Sequence, residues 1–297
     1  MTGRSTRSGW AFVAFPLAVV FLFTALPTVA GVVLSFFVWN GSDAPSFIGL
    51  GNFQAAMTKD PQFWYALRNT LIFAAVTVPI TTVLAFLFAV ILNARWFVGR
   101  TAVRTMFFLP AVVSIIAVGY VWRWVLDPKA GLLNATLEWA HLDALFGGDL
   151  PAWLGDNPWG LGAMILVQIW RNLGFCVVLY LAALSQVPKS LHEAASVDGA
   201  GPWQSIWCVT WPCVRPMTAF LIITGSIWAL QVFDLVWGIW GEAQMRWTDV
   251  LNAHLYREFT HLRLSYSATI GVCMLLLTAV VTIAQIRWMK RSEEADR

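Results

Sequence analysis

Apolar residues dominate six long stretches of this chain, 10–38, 69–92, 105–126, 161–184, 214–237 and 267–288, and polar residues gather in the intervals between them. Each stretch reaches the about 20 residues that an α-helix needs to cross a bilayer core. A segment inside lipid has to satisfy its own backbone polar groups, so these stretches are expected as helices. Strands of a membrane barrel would show short alternating segments, and none occur. The pattern predicts an all-α integral membrane protein, with six transmembrane helices in a single domain over 1–297. The first stretch follows Arg4 and Arg7, and Thr28-Val29-Ala30 is a passable signal-cleavage site. Its apolar run continues to Val38, beyond a signal core of about 7–15 residues, so an uncleaved first span is expected.

Composition agrees. Hydrophobic residues make up 59% of the chain and charged residues 12%, against about 25% charged in a soluble domain. That is too little charge to coat a soluble globule and too much apolarity for disorder. The net charge is +3 and no basic run occurs, so no nucleic-acid partner is expected. Alternating the loops puts 11 Lys and Arg on one side and 6 on the other. The richer side is expected to be cytoplasmic, which puts both termini in the cytoplasm. Cys176, Cys208, Cys213 and Cys273 lie in or beside apolar segments without a C-x-x-C pair. They are expected as small apolar residues, with no disulfide and no metal site.

No catalytic constellation is present. The chain has no G-x-x-x-x-G-K-[ST] loop for ATP and no H-E-x-x-H, and its histidines, His141, His192, His254 and His261, are scattered. Transport, scaffolding or signalling is favoured over an enzyme. A membrane transferase would need carboxylates or histidines grouped at one membrane face. An ion-coupled secondary carrier would need midplane carboxylates or a pair of broken helices. The only carboxylate within a span is Asp234, near an end.

The cytoplasmic loop 185–213 is unusual in being long, helical in composition and poor in charge. Pro188 can start a helix, and Ser190 to Asp198 suit two to three turns. Ala194, Ala195 and the Gly199-Ala200-Gly201 backbone offer almost no side-chain bulk, so such a helix can press closely on another protein. Gly199 suits a helix stop, and Pro212 and Pro216 are expected to open the fifth span. From composition alone, a plain re-entry turn between two spans fits as well.

In residue type and spacing, this loop resembles the EAA loop of ABC-importer membrane subunits, whose pattern is E-A-A, three residues, G, nine residues, then I-x-L-P. Glu193-Ala194-Ala195, Gly199 and Pro212 match, with Val209 and Trp211 standing for the Ile and the Leu. Asp198-Gly199-Ala200 is closer to the carbohydrate-uptake branch. Further stretches resemble the same family: Phe47-Ile48-Gly49-Leu50-Gly51-Asn52-Phe53, Leu67-Arg68-Asn69-Thr70, Phe107-Phe108-Leu109-Pro110, Trp122-Arg123-Trp124, Gly131-Leu132-Leu133-Asn134, Gly174-Phe175 and Gln231-Val232-Phe233-Asp234-Leu235. Together they look like the permeases of maltose and glycerol-3-phosphate transporters.

The resemblance implies the type I importer permease fold and a place in the bacterial inner membrane. It implies a second homologous permease, two copies of a cytoplasmic ATPase and an extracytoplasmic solute-binding protein as partners. ATP and Mg would be bound by the ATPase subunits and no cofactor by this chain. The solute would be a sugar or, in the same branch, a glycerol-3-phosphate or glycerophosphodiester. Glu193, Ala194, Ala195, Asp198, Gly199 and Ala200 would form the contact with the ATPase.

Polar residues inside spans default to a functional reading. Gln168, Arg171 and Asn172 share one face of the fourth span, and Gln231 and Asp234 one face of the fifth. With Tyr180 they form a candidate translocation pathway, and Trp170, Phe175 and Trp228 offer rings for stacking. The alternative is polar glue between helices, at about 1 kcal/mol or less per contact, one form of which is an Arg171–Asp234 pair. Arg123, near an outer end, is expected to reach the interface.

Overall fold

A computed structural model describes residues 13–94, 99–243 and 245–295. Residues 10–12 of the first expected span, and Arg4, Arg7, Arg95 and Arg297 from the charge count, lie outside the described residues. The helices are α1 (Val13–Leu34), α2 (Gly51–Thr58), α3 (Pro61–Asn93), α4 (Arg100–Val112), α5 (Ile115–Val125), α6 (Leu132–Trp139), α7 (Pro158–Leu184), α8 (Lys189–Val197), α9 (Pro202–Leu230), α10 (Asp234–Trp240), α11 (Leu251–Thr260) and α12 (Leu264–Ala295). Five of them, α1, α3, α7, α9 and α12, are each long and apolar enough to span a bilayer. The strands β1 (Phe37–Val38) and β2 (Ser46–Phe47) pair antiparallel, with Phe37 opposite Phe47.

Three expected spans differ in detail. The first ends as a helix at Leu34, and Phe37–Val38 is strand. The third, 105–126, is not one straight helix. α4 and α5 meet at an angle of 100°, with Val113 and Ser114 extended between them. Pro110 lacks an N–H for the last turns of α4, and α5 is held by a backbone contact with α10. A Cβ on Gly119 would lie 2.8 Å from the Gly238 Cα. The fifth span starts at Pro202, well before Pro212, and breaks after Leu230. Pro212 and Pro216 lie inside this helix. A π-turn at Ile206–Thr210 widens the backbone just ahead of them, and π-turns and prolines are both places where helices bend.

The chain divides into two compact units. The first comprises Met1–Trp64 and His254–Leu276. Here the Asn52 Nδ2 donates to the Ser35 and Phe37 carbonyls, at 3.0 and 2.7 Å, fixing α2 to the end of α1. Asp60 caps α3, with its Oδ1 accepting from the Gln62 and Phe63 N–H groups. Its Oδ2 faces the His254 Nε2 at 2.8 Å and accepts from the Tyr266 hydroxyl. Burial works against the charged form, but the bonds from Tyr266 and His254 outweigh it and hold this carboxyl below its ordinary value of 3.8.

The second unit comprises Tyr65–Ala253 and Leu277–Arg297. It has two cores. One gathers Phe73, Met164, Val167, Leu235 and Ile239. The other gathers Phe86, Leu92, Val177, Tyr180 and Val214, with Phe86 edge-on to both Tyr180 and Trp211. At the crossing of α4 and α7, a Cβ on Gly174 would fall 1.8 Å from the Phe107 carbonyl oxygen, so only glycine fits there.

Candidate functional site

The segment 188–201 forms a helix with a defined stop. α8 begins after Pro188, whose extended backbone leads into the first turn. It ends in a Schellman arrangement. The Gly199 N–H bonds the Ser196 carbonyl at 3.1 Å, and the Ala200 N–H reaches back to the Ala195 carbonyl at 2.9 Å. Gly199 has φ +82, left-handed as this stop requires. Glu193, Ala194, Asp198 and Gly199 are exposed, and Ala195 and Ala200 half-buried. Beside them Leu191 and Val197 are 45% and 88% exposed. A Cβ on Gly199 would meet nothing within 4 Å, so the chain itself leaves this surface uncovered. The His192 Nδ1 lies 2.9 Å from the Ser205 Oγ, tying α8 to the start of α9. His192 is one of the scattered histidines that carry no motif in the sequence. A polar residue on the inward face of a short exposed helix was the available signal.

Deeper in the same unit, α3, α7 and α9 line a small open pocket, with a cavity volume of about 30 Å³. Gln168 and Asn172 line it, with Thr77, Thr81, Thr82, Phe175, Thr224 and Trp228. The Thr77 and Thr81 hydroxyls and the Gln168 Oε1 are buried without a partner. Unsatisfied polar groups in a protein interior carry a penalty of about 1–3 kcal/mol each. A pocket edged by three of them is suited to a polar, hydroxyl-bearing guest. The threonines, at 77, 81 and 82, form a polar stripe at helical spacing within an apolar span. That stripe is a signal in the sequence beyond the polar residues of the fourth and fifth spans.

The other candidate pathway residues stand elsewhere. Tyr180 is fully buried, and its hydroxyl donates to the Thr218 Oγ1 at 2.9 Å. It serves the second core rather than the pocket. The Arg171 Nη1 donates to the Asn172 Oδ1 at 3.3 Å, while its Nε is buried without a partner. Gln231 and Asp234 are exposed at the break between α9 and α10, outside the pocket. Among the described residues Arg171 and Asp234 form no ion pair. The break at 231–233 takes Asp234 off the face of α9 that a continuous helix would have given it. Arg123 is exposed in the last turn of α5.

Several of the quoted motif residues act as ties. The Asn69 Nδ2 bonds the Arg246 and Asp249 carbonyls at 3.0 and 2.9 Å, and the Thr70 hydroxyl accepts from the Leu251 N–H. Asn134 binds the Pro128 carbonyl and accepts from the Trp153 indole at 2.6 Å. Gly131 fits where a Cβ would strike the Asp127 carbonyl.

Comparison with known proteins gives a consistent picture. A family model described as "binding-protein-dependent transport system inner membrane component" matches residues 83–292. The lactose transport system permease protein LacF of Rhizobium radiobacter is 34% identical over 94% of this chain and 92% of its own. A probable ABC transporter permease protein, YurN of Bacillus subtilis, is 30% identical over 94% of this chain and 95% of its own. Among solved structures, a chain of a bacterial ABC transporter involved in import of the acidic polysaccharide alginate superposes with a TM-score of 0.81. It is 26% identical and covers 97% of this chain and 98% of that one.

Proposed function

We propose, for a chain that belongs to the family of binding-protein-dependent transport system inner membrane components, that it forms half of the translocation pathway of an ATP-driven importer of a sugar. The observation that carries the coupling half of this reading is α8. It is a short, small-faced helix with a defined stop, left uncovered at the turn between two spans. A cytoplasmic ATPase is the partner suited to it. Glu193, Ala194, Ala195, Asp198, Gly199 and Ala200 form the contact, and the excess of Lys and Arg on that side supports a cytoplasmic placement of this face and both termini. ATP and Mg belong to two copies of that ATPase. A second, homologous permease completes the pathway, and an extracytoplasmic binding protein delivers solute.

Sugar import is supported by relatives whose names specify lactose, starch degradation products and diacetylchitobiose. The pocket beside Gln168 and Asn172 has fitting chemistry, since unpartnered hydroxyl and amide groups lie beside the Phe175 and Trp228 rings. Rings stack on the apolar faces of sugars while amides bind their hydroxyls.

The test is a tagged pull-down from the native membrane in mild detergent, followed by reconstitution of uptake. Recovery of an ATPase, a second permease and a binding protein, with uptake that stops without ATP, is the expected result. A chain recovered alone at every detergent strength, with uptake driven by an ion gradient, would overturn the importer reading in favour of a secondary carrier.

A further inference from the structure

At one end of the second unit, two arginines and two aromatic rings interleave. The Arg68 guanidinium lies 4.3 Å from the centre of the Trp247 ring, and that of Arg246 lies 4.7 Å from the centre of the Tyr65 ring. Each arginine also approaches the other's ring, at 5.8 and 6.0 Å. The group is built rather than accidental. The Asn69 Nδ2 holds the loop through the Arg246 carbonyl, and the Asn69 Oδ1 accepts from the Arg68 Nε and Nη2, at 3.3 and 3.0 Å. The Asp156 Oδ1 fixes the Trp247 N–H at 2.8 Å. Ring faces attract guanidinium groups but do not neutralise them. Among the described residues neither arginine has an ion pair, and the Arg246 guanidinium makes no hydrogen bond. Two like charges are thus held together, Arg68 oriented by Asn69 with its Nη1 still free to donate and Arg246 with all its donors unused, an arrangement that fits a phosphate or carboxylate gripped by both.

The surroundings decide the source of that anion. α3 has 33 residues, roughly 50 Å at 1.5 Å per residue, well over the hydrocarbon thickness of about 30 Å. Arg68 sits one turn before the apolar part of this helix, which starts at Leu71. That is headgroup depth. Below it, Leu71, Ile72, Ala75, Pro79, Ile80 and Val83 are exposed and follow one helical stripe. A charged clamp above an unbroken apolar stripe matches the two halves of one lipid molecule. α7 and α9 each run from this end of the unit to the α8 end, so the clamp lies on the membrane face opposite α8.

We propose that Arg68 and Arg246, backed by Tyr65 and Trp247, bind the phosphate of an anionic phospholipid in the leaflet opposite α8, with an acyl chain along the Leu71–Val83 stripe. The site needs only the membrane location of the chain and stands whether or not α8 couples to an ATPase.

The test uses the purified transporter in nanodiscs of phosphatidylcholine carrying a minor fraction of phosphatidylglycerol, with retained lipid counted by native mass spectrometry. Wild type is expected to retain phosphatidylglycerol selectively. Arg246→Gln is expected to weaken that retention about tenfold, the loss of one charge-assisted contact, with a melting temperature little changed, because this exposed side chain makes no hydrogen bond in the protein and gives up only its contacts with the Tyr65 and Trp247 rings. Arg246→Lys is expected to fall between, keeping charge without the fork. Equal retention by wild type and Arg246→Gln would overturn the proposal. So would equally tight binding of soluble glycerophosphoglycerol, which would mark a site for a free anion. Loss of stimulation by the binding protein at unchanged lipid retention would assign the arginines to a protein partner and equally reject the lipid.

Discussion

Gly199 separates two reasons for keeping a glycine. Its backbone is left-handed at φ +82, yet a Cβ there would meet nothing in this chain. Alanine therefore costs only the left-handed strain, about 1–2 kcal/mol. Asparagine adopts this conformation more readily but adds a polar side chain to the surface. If α8 docks into a close contact, Gly199→Asn is expected to depress solute-stimulated ATP hydrolysis in proteoliposomes more than Gly199→Ala. The reverse order would show that only the helix stop matters. Asp60 gives a prediction in pH. Its folded-state carboxyl is held below 3.8, so its ionised form stabilises the first unit above that pH. The contribution is lost as the pH falls through the lowered value. Thermal melts in detergent should thus show wild type losing its advantage over Asp60→Asn on acidification below about pH 4. An advantage that persisted unchanged into that range would place the stabilisation elsewhere.

Helix crossings show where sequence pattern stopped being informative. Long apolar runs overlapped every long helix among the described residues, because the need to satisfy backbone groups in lipid leaves no other structure, though α9 starts twelve residues early, at Pro202. They missed the 100° bend between α4 and α5, since the run 105–126 is apolar straight through the bend. The cause lies in a partner far along the chain, the Gly119–Gly238 contact, which no local window contains. Gly174 makes the same point testable. Its Cβ position is 1.8 Å from the Phe107 carbonyl, while that of Gly162, on the same helix, is open. Gly174→Ala is expected to lower the melting temperature, with an overpacking cost of about 1–3 kcal/mol. Gly162→Ala should leave it unchanged or raised, since alanine is the better helix former by about 1 kcal/mol. Equal melting temperatures for the two variants would mean that α4 and α7 separate freely.

At the scale of the molecule, the short helix proposed to couple was legible as a helix because it is local: α8, its stop and its exposed small face all fall within 188–201. The pocket was legible only in part. Gln168 and Asn172 were singled out by polarity within a span, but so were Arg171, Tyr180, Gln231 and Asp234, and polarity does not say what a side chain faces. Tyr180 finds Thr218 and belongs to a core, whereas the Gln168 Oε1 finds nothing. That difference distinguishes a pathway from helix glue by the sign of a stability change. Glue contributes to the fold, so replacing it would destabilise the protein. An unpartnered buried amide does the opposite, because removing it relieves a desolvation penalty of about 1–3 kcal/mol. Gln168→Leu, close in volume, is therefore expected to keep or raise the melting temperature while lowering solute uptake in proteoliposomes at undiminished basal ATP hydrolysis. A drop in melting temperature with uptake preserved would return Gln168 to the role of glue and move the solute path away from this pocket.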